Sequence, residues 1–177
     1  GMPLVFEAFN WTHGIYLGAT MGSELTAASE GKVGQLRSDP MAMLPFAGYH
    51  MARYLEHLVK MGKGLEVTPR IFHVNWFRKT SEGKFMWPGY GDNARVLAWM
   101  IGRCYGNAHG KETPIGFMPS YEDLNWNGLD YSKETFKQLM SFDKEVVSAQ
   151  PLKPELYDAL PDSLKIERAA LLERLAD

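Results

Sequence analysis

The sequence predicts a mixed α/β fold, because two kinds of apolar pattern alternate along its 177 residues. Short runs rich in branched and aromatic residues, of which 69–76 is the clearest, are typical of strands. Longer segments with apolar residues at helical spacing, of which 46–61 is the clearest, predict amphipathic helices. A hydrophobic content of 45% is enough for one buried core. We therefore expect a single domain with a short mixed sheet, flanking helices and a helical C-terminal tail over 130–177.

The N-terminal part begins with two predicted strands. The runs 3–9 and 13–19 are apolar and are separated by the polar residues 10–12. The first run begins at residue 3, with almost no polar residues before it. We therefore expect a buried strand there, and we expect the chain to be a piece of a larger protein. Residues 18–35 are mostly small, which fits a mobile flap with few contacts or a short alanine-rich helix that ends at a glycine.

The rest of the chain predicts a helix, a strand and further helices. The helix 46–61 pairs Glu56 with Lys60 on its outer face. The strand 69–76 precedes a helix that starts at Asp92 and Asn93, with Asp92 capping free N–H groups. Residues 113–118 predict another strand, and helices predominate from residue 132 onward. The residues expected to face the core are Ala47, Met51, Tyr54, Leu55 and Leu58 in the first of these helices, Val96, Leu97, Met100, Ile101 and Cys104 in the second, and Leu164, Leu171, Leu172 and Leu175 in the last, 163–175.

Composition and charge exclude several classes of protein. A formal net charge of −2 gives no electrostatic footprint for DNA or RNA, so we expect no nucleic-acid partner. No apolar run reaches eighteen residues, so the sequence predicts no membrane span. The single cysteine, Cys104, excludes an internal disulfide and is consistent with a reducing compartment such as the cytoplasm.

Phosphate-binding and metal-binding motifs are incomplete. At Gly31-Lys32-Val33, a P-loop would require glycine at Thr26 and a hydroxyl residue at Val33. Residues 123–134 match the calcium-loop pattern of an EF-hand, but prolines precede it and no second loop exists. The alternative there is an Asx-rich turn before a helix capped by Asp130 or Ser132. The five histidines show no metal-ligand spacing.

The segment 75–97 is the most informative part of the chain, because it is a glycine-rich and proline-containing turn with five aromatic residues. Phe77, Phe85 and Tyr90 could form an apolar slot for a purine, and Asn93 carries both a donor and an acceptor for the base edge. The alternative is that the rings fill a core beneath a hairpin. Trp76 and Trp87 are expected to support the slot from behind.

Four long motifs closely resemble GTP-dependent phosphoenolpyruvate carboxykinase. They are Pro-Leu-Val-Phe-Glu-Ala-Phe-Asn-Trp at 3–11, Gly-Ala-Thr-Met-Gly-Ser-Glu-Leu-Thr-Ala-Ala at 18–28, Asp-Pro-Met-Ala-Met-Leu-Pro-Phe at 39–46, and the run 69–97. The resemblance covers essentially the whole chain and weakens after about residue 120. It implies the C-terminal part of the family's nucleotide-binding domain, with guanine recognition over 69–104.

The resemblance also implies roles for individual residues. Phe77, Phe85 and Tyr90 match the aromatic positions that enclose guanine, and Asn93 matches the amide that reads its edge. Tyr90 stands where the family often has phenylalanine, which adds a hydroxyl to the stacking surface. The residues that match the family's mobile Ω-loop lid are Ser23, Glu24, Thr26, Ala27, Ala28, Ser29, Glu30 and Gly31, within a lid region at 18–35.

The intact family enzyme converts oxaloacetate and GTP into phosphoenolpyruvate, GDP and carbon dioxide with two divalent cations, typically Mn²⁺ and Mg²⁺. The resemblance places the family's P-loop lysine, manganese ligands and substrate-binding arginines before residue 1. We therefore expect no catalytic residue and no metal ligand in these 177 residues, and no turnover without the N-terminal part as partner. Two alternatives remain: a guanine-binding module without chemistry, and a purely structural domain.

Overall fold

The structure is a computed structural model that describes residues 1–24, 36–149 and 152–176. The chain divides into two compact units: residues 1–9 with 70–147, and residues 10–69 with 148–177. We call them the sheet unit and the helical unit. Within the described residues, no helix is long and apolar enough to cross a membrane. The mixed α/β class is confirmed, with both small sheets and helices present.

The sheet unit consists of a four-stranded sheet and three helices. Its elements in chain order are β1 (Val5–Glu7), β4 (Phe72–Val74), α3 (Asn93–Cys104), β5 (Lys111–Thr113), β6 (Gly116–Met118), α4 (Lys133–Met140) and α5 (Lys144–Ser148), the last of which ends at the unit boundary. The strand order is β4-β1-β6-β5, and each of these pairings is antiparallel. The predicted strand 113–118 is in fact a hairpin of two strands.

The central strand β1 is the core of the sheet unit. Leu4, Val5 and Phe6 are fully buried, as the apolar run predicts. Gly116 lies so close to β1 that a Cβ there would be 2.3 Å from the Glu7 carbonyl oxygen, and its φ is +144°. Only glycine fits this close approach between β1 and β6.

Glu7 at the end of β1 carries a buried carboxylate that joins two arginines. Its side chain is 3% exposed; Oε1 accepts from Arg70 before β4, and Oε2 accepts from Arg103 Nε of α3 at 2.5 Å. Arg103 also donates to the Ala108 carbonyl at 3.0 Å. Since a buried charge requires a partner, this triad holds β1, β4 and α3 in one arrangement.

Among its described residues, the helical unit contains four α-helices and one strand pair. Its elements are α1 (Trp11–Ala19), β2 (Gly22–Glu24), β3 (Leu36–Ser38), α2 (Met51–Lys63), α6 (Pro154–Asp158) and α7 (Asp162–Ala176). Helix α1 contacts both α2 and α7. The indole of Trp11 donates to the Leu58 carbonyl at 2.8 Å, and a Cβ at Gly62 would lie 2.2 Å from the same indole.

The prediction of a strand at 13–19 is wrong, because these residues belong to α1. Asn10 is the N-cap, and its side chain accepts from the His13 backbone N–H at 2.9 Å. Six of the nine residues of α1 are buried, so the helix has no polar stripe that would reveal a helical period. Asn10 is a preferred N-cap residue and indicates a helix start, but the apolar run after it resembles a strand.

The predicted lid lies mostly outside the described residues. Ser23 and Glu24 belong to β2, whereas Thr26, Ala27, Ala28, Ser29, Glu30 and Gly31 are not described. Strands β2 and β3 pair antiparallel, with Glu24 opposite Leu36. The buried Asp39 accepts from Ser23 Oγ at 2.5 Å and from the Leu44 N–H at 3.1 Å. These bonds connect β2 to the residues that follow β3.

The predicted helices exist, but some of their details differ. Helix α2 starts at Met51 rather than near residue 46, and the Glu56–Lys60 pair is present at 2.8 Å. Asp92 does not cap α3, since its carboxylate binds Arg95 Nε at 2.8 Å. The expected inward positions that are instead exposed are Leu97, Ile101, Cys104 and Leu172.

The buried face of α3 agrees with the predicted one only in part, since Val96 is buried as predicted and Trp99 is buried without having been predicted. Arg103 reaches Glu7 from the same side as these two residues. Apolar residues occur on more than one face of this helix, so spacing alone could not identify the face that packs on the sheet.

We predict that Glu7→Gln lowers the free energy of unfolding by about 3 kcal/mol, because two arginines lose their shared buried counter-charge. Urea denaturation measures the change. Glu56→Gln is the matched control, since it breaks an exposed pair and should cause no measurable loss. A Glu7→Gln protein as stable as that control would contradict a structural role for the triad.

Candidate functional site

The predicted site residues Phe77 and Phe85 lie on the two arms of a tight turn that follows β4. The turn is closed by backbone bonds from Met86 N–H to Arg78 O and from Thr80 N–H to Lys84 O, both 2.8 Å. Gly83 has a φ of +81°, which the reversal at its tip requires. The side chain of Asn75 accepts from the Phe77 N–H at 3.2 Å and donates to the Met2 carbonyl at 2.9 Å.

The rings of Phe77 and Phe85 contact each other and are open to solvent. Their centroids are 6.1 Å apart with an angle of 63° between the planes, so the contact is edge to face. Phe77 is 72% exposed and Phe85 is 59% exposed. The ammonium group of Lys79 lies 5.1 Å from the centroid of the Phe85 ring. These two rings therefore do not fill a core.

Arg78, between the two phenylalanines in the turn, anchors it to the rest of the sheet unit. Its guanidinium donates to the carbonyls of Met2, Leu139 and Ser141 and to the Ser141 hydroxyl. Burial lowers the pKa of this guanidinium. Four acceptors on two segments hold the side chain in place, so the position of Phe77 is determined by a rigid neighbour.

Tyr90 stands in a strained backbone conformation with its ring in solvent. Its φ is +48°, and it directly follows Gly89 at +80°. The side chain is 97% exposed, so packing within the described part of the chain does not account for the strain. Strained, exposed residues of this kind cluster at binding and catalytic sites.

Asn93, the first residue of α3, has an amide whose orientation is determined by Trp87. The indole Nε1–H donates to Asn93 Oδ1 at 2.8 Å. Trp87 is 2% exposed, and α3 begins at Asn93 after a single 3₁₀ turn over Tyr90–Asp92. The bond spans the Pro88-Gly89 corner and connects the turn to the helix.

An aromatic layer lies behind Trp87. Trp126 and Tyr131 stack with centroids 5.3 Å apart, and both contact Trp87 edge to face. The Tyr131 hydroxyl donates to the Met86 carbonyl at 2.8 Å, and burial raises the pKa of Tyr131 to about 12. The hydroxyl therefore remains a donor at neutral pH and holds the second arm of the turn.

The remaining motifs are structural. Asn125 accepts from the Asn127 N–H at 2.9 Å, and Ser132 caps α4 by accepting from the Thr135 N–H, as the Asx-turn alternative predicts. No group of three or more histidine, cysteine, aspartate or glutamate side chains in the described residues could hold a metal ion.

The structure brings some of the predicted site residues together. Phe77 and Phe85 are in contact, while Tyr90 and Asn93 lie at the start of α3. Trp87 is buried and bonded to Asn93, whereas Trp76 is only half-buried. The support that these two residues are expected to give the slot stays a prediction. Sequence reasoning missed Arg78 and Tyr131. The partners of Arg78 lie 61 to 76 residues away in the chain, and the partner of Tyr131 lies 45 residues away. No local pattern reveals such contacts.

Comparison with known proteins gives a consistent result. The family model described as phosphoenolpyruvate carboxykinase C-terminal P-loop domain matches residues 1–174. The phosphoenolpyruvate carboxykinase (GTP) of Anaeromyxobacter dehalogenans strain 2CP-1 is 51% identical over 98% of this chain. Proteins with the same name from Thermoplasma volcanium and Arthrobacter sp. strain FB24 are 56% identical over 81% and 48% identical over 99% of it. The chain spans 30%, 24% and 30% of the length of these three relatives.

We predict that Tyr90→Gly raises the free energy of unfolding by about 0.5–1 kcal/mol, because it removes left-handed strain and no buried surface. Thermal and urea denaturation measure the change. Tyr105→Gly is the matched control: Tyr105 is also exposed but has a φ of −94°, so glycine should not stabilise the protein there. An unchanged or less stable Tyr90→Gly protein would mean that the strain is compensated locally.

Proposed function

The chain belongs to the GTP-dependent phosphoenolpyruvate carboxykinase family, and on that premise we propose that it forms the guanine-recognising part of such an enzyme. The observation that carries the proposal is the exposure of Phe77, Phe85 and Tyr90, three aromatic residues with no role in a core. Exposed aromatic rings on an anchored turn provide the stacking surface that a purine base requires.

We propose that the three rings contact a bound base in different ways. Phe77 and Phe85 meet edge to face, so they do not form two parallel walls. A planar base would stack on one of these rings, contact the edge of the other, and take Tyr90 as its opposite wall. The Tyr90 hydroxyl adds a polar group at the rim of this slot, where it remains in contact with water.

The proposed reaction is the conversion of oxaloacetate and GTP into phosphoenolpyruvate, GDP and carbon dioxide, in the cytoplasm. Decarboxylation yields an enolate whose oxygen accepts the γ-phosphoryl group, and this enolate has to be kept from protonation by water. The segment 23–31 is proposed as the lid that closes over it. The Asp39 bonds to Ser23 and Leu44 and the pairing of β2 with β3 support this role, since a lid requires fixed anchor points.

The proposed enzyme requires Mn²⁺ and Mg²⁺, which would neutralise charge on the phosphates during transfer. The described residues present no donor cluster for them, and the sequence contains no complete P-loop. We assign to these 177 residues the binding and orientation of the base, together with the proposed lid. Holding the phosphates, the cations and oxaloacetate is assigned to the N-terminal partner segment of the family.

We predict that GDP quenches the tryptophan fluorescence of the protein at lower concentration than ADP, because Trp87 lies directly behind the proposed base site.

Phe77→Ala should weaken GDP binding by about 1–3 kcal/mol through the loss of one stacking contact. The matched control is Tyr105→Ala, which removes another exposed ring of the sheet unit, outside the site. Equal responses to GDP and ADP would favour the structural-domain alternative.

We further predict that a polypeptide of these 177 residues gives no turnover with GTP, oxaloacetate and Mn²⁺, measured by coupled detection of phosphoenolpyruvate. Base binding without phosphate positioning cannot align the γ-phosphoryl group for transfer. A positive control with a full-length relative establishes the sensitivity of the assay. Measurable turnover would show that this chain contains a phosphate site that its motifs do not reveal.

A further inference from the structure

We propose that Trp87 is a positioning residue that makes the Asn93 amide a donor toward the base and thereby selects 6-oxopurine nucleotides over 6-aminopurine nucleotides. This inference rests on the proposed function, since it assumes that Asn93 faces the edge of a bound purine. It adds the residue that orients the Asn93 amide, and so the source of the selectivity.

The first step is the direction of the hydrogen bond. An indole N–H can only donate, whereas the two ends of an asparagine amide are a donor and an acceptor. The bond of 2.8 Å from Trp87 Nε1 therefore requires Oδ1, not Nδ2, to face the indole. The amide nitrogen, with its two hydrogens, is left on the side of the amide away from Trp87.

The second step is the rigidity of the donor. Trp87 is 2% exposed and is held by edge contacts to Trp126 at 6.4 Å and Tyr131 at 6.0 Å. If the amide flipped, Nδ2–H would face the indole N–H, and a buried donor would lose its acceptor. The cost of that flip keeps the amide in one orientation, whatever base is offered.

The third step is the chemistry of the base. Guanine and hypoxanthine carry an acceptor oxygen at position 6, whereas adenine carries a donor amine there. The N7 atom is an acceptor in both classes and does not separate them. A donor held opposite position 6 therefore binds a 6-oxopurine and opposes a 6-aminopurine, while an amide that can flip serves both.

The test compares the affinities of GDP, IDP and ADP for the 177-residue chain by isothermal titration calorimetry. The wild-type protein should bind GDP and IDP similarly and ADP about tenfold or more weakly. Trp87→Phe removes the indole N–H and keeps a ring in the layer, so the ratio of GDP to ADP affinity should fall toward one. The change should come mainly from tighter binding of ADP, because the released amide can turn its oxygen toward the 6-amino group, while GDP still finds a donor.

Trp99→Phe is the matched control. It removes another buried indole N–H, whose bond of 2.8 Å goes to the His109 carbonyl, and neither Trp87 nor Asn93 shares this bond. The control should keep the wild-type selectivity. A merely structural role for Trp87 would lower the affinities for GDP and ADP together and leave their ratio unchanged, which would overturn the proposal.

Asn93→Asp provides a second variant that leaves Trp87 in place. The carboxylate can still accept from the indole, but it presents an acceptor to the base, so the preference should shift toward ADP. Retained GDP preference in Asn93→Asp, or in a folded Trp87→Phe, would overturn this inference. Failure of the wild-type protein to prefer GDP would instead overturn the proposed function.

Discussion

The buried carboxylate of Glu7 is the constraint on which the arrangement of the sheet unit depends. It binds Arg70 at the entrance to β4 and Arg103 within α3. Phe77 and Phe85 follow β4 in the chain, and Asn93 begins α3. One acidic side chain on the central strand therefore connects the two elements that carry the proposed base site. Because a desolvated carboxylate is so costly without its partners, this connection tolerates little variation in geometry.

The proposed site has an exposed layer and a buried layer with different physical roles. The rings of Phe77, Phe85 and Tyr90 are in solvent, where they offer surface and little directionality. The buried layer, which includes Trp87 and Tyr131, provides directed hydrogen bonds in a region of low dielectric, where such bonds are stronger. Affinity is thus expected to arise from the first layer and selectivity from the second.

Much of the site could be predicted from sequence, and what could not depends on contacts between distant residues. The strand before Phe77 and the helix after Asp92 follow from local patterns, and their positions are confirmed within a few residues. The inward face of α3 followed only in part, because its apolar residues are not confined to one face. The helix α1 was missed because burial of most of its residues removes the periodicity that identifies a helix. The direction of the Asn93 amide requires the position of the Trp87 indole, which no spacing rule provides.

The strain at Tyr90 and the exposure of the aromatic rings both raise the free energy of the unliganded folded protein. A left-handed backbone at a non-glycine residue costs about 1–3 kcal/mol, and exposed rings forgo the stabilisation of burial. Neither feature improves the fold, since a glycine at position 90 and polar side chains on the turn would serve it better. A stacked base would cover the rings, and it would contact the Tyr90 ring in the position that the strained backbone gives it. In the proposed function, a planar ligand would offset this cost, and the Trp87–Asn93 bond would limit which planar ligand is accepted.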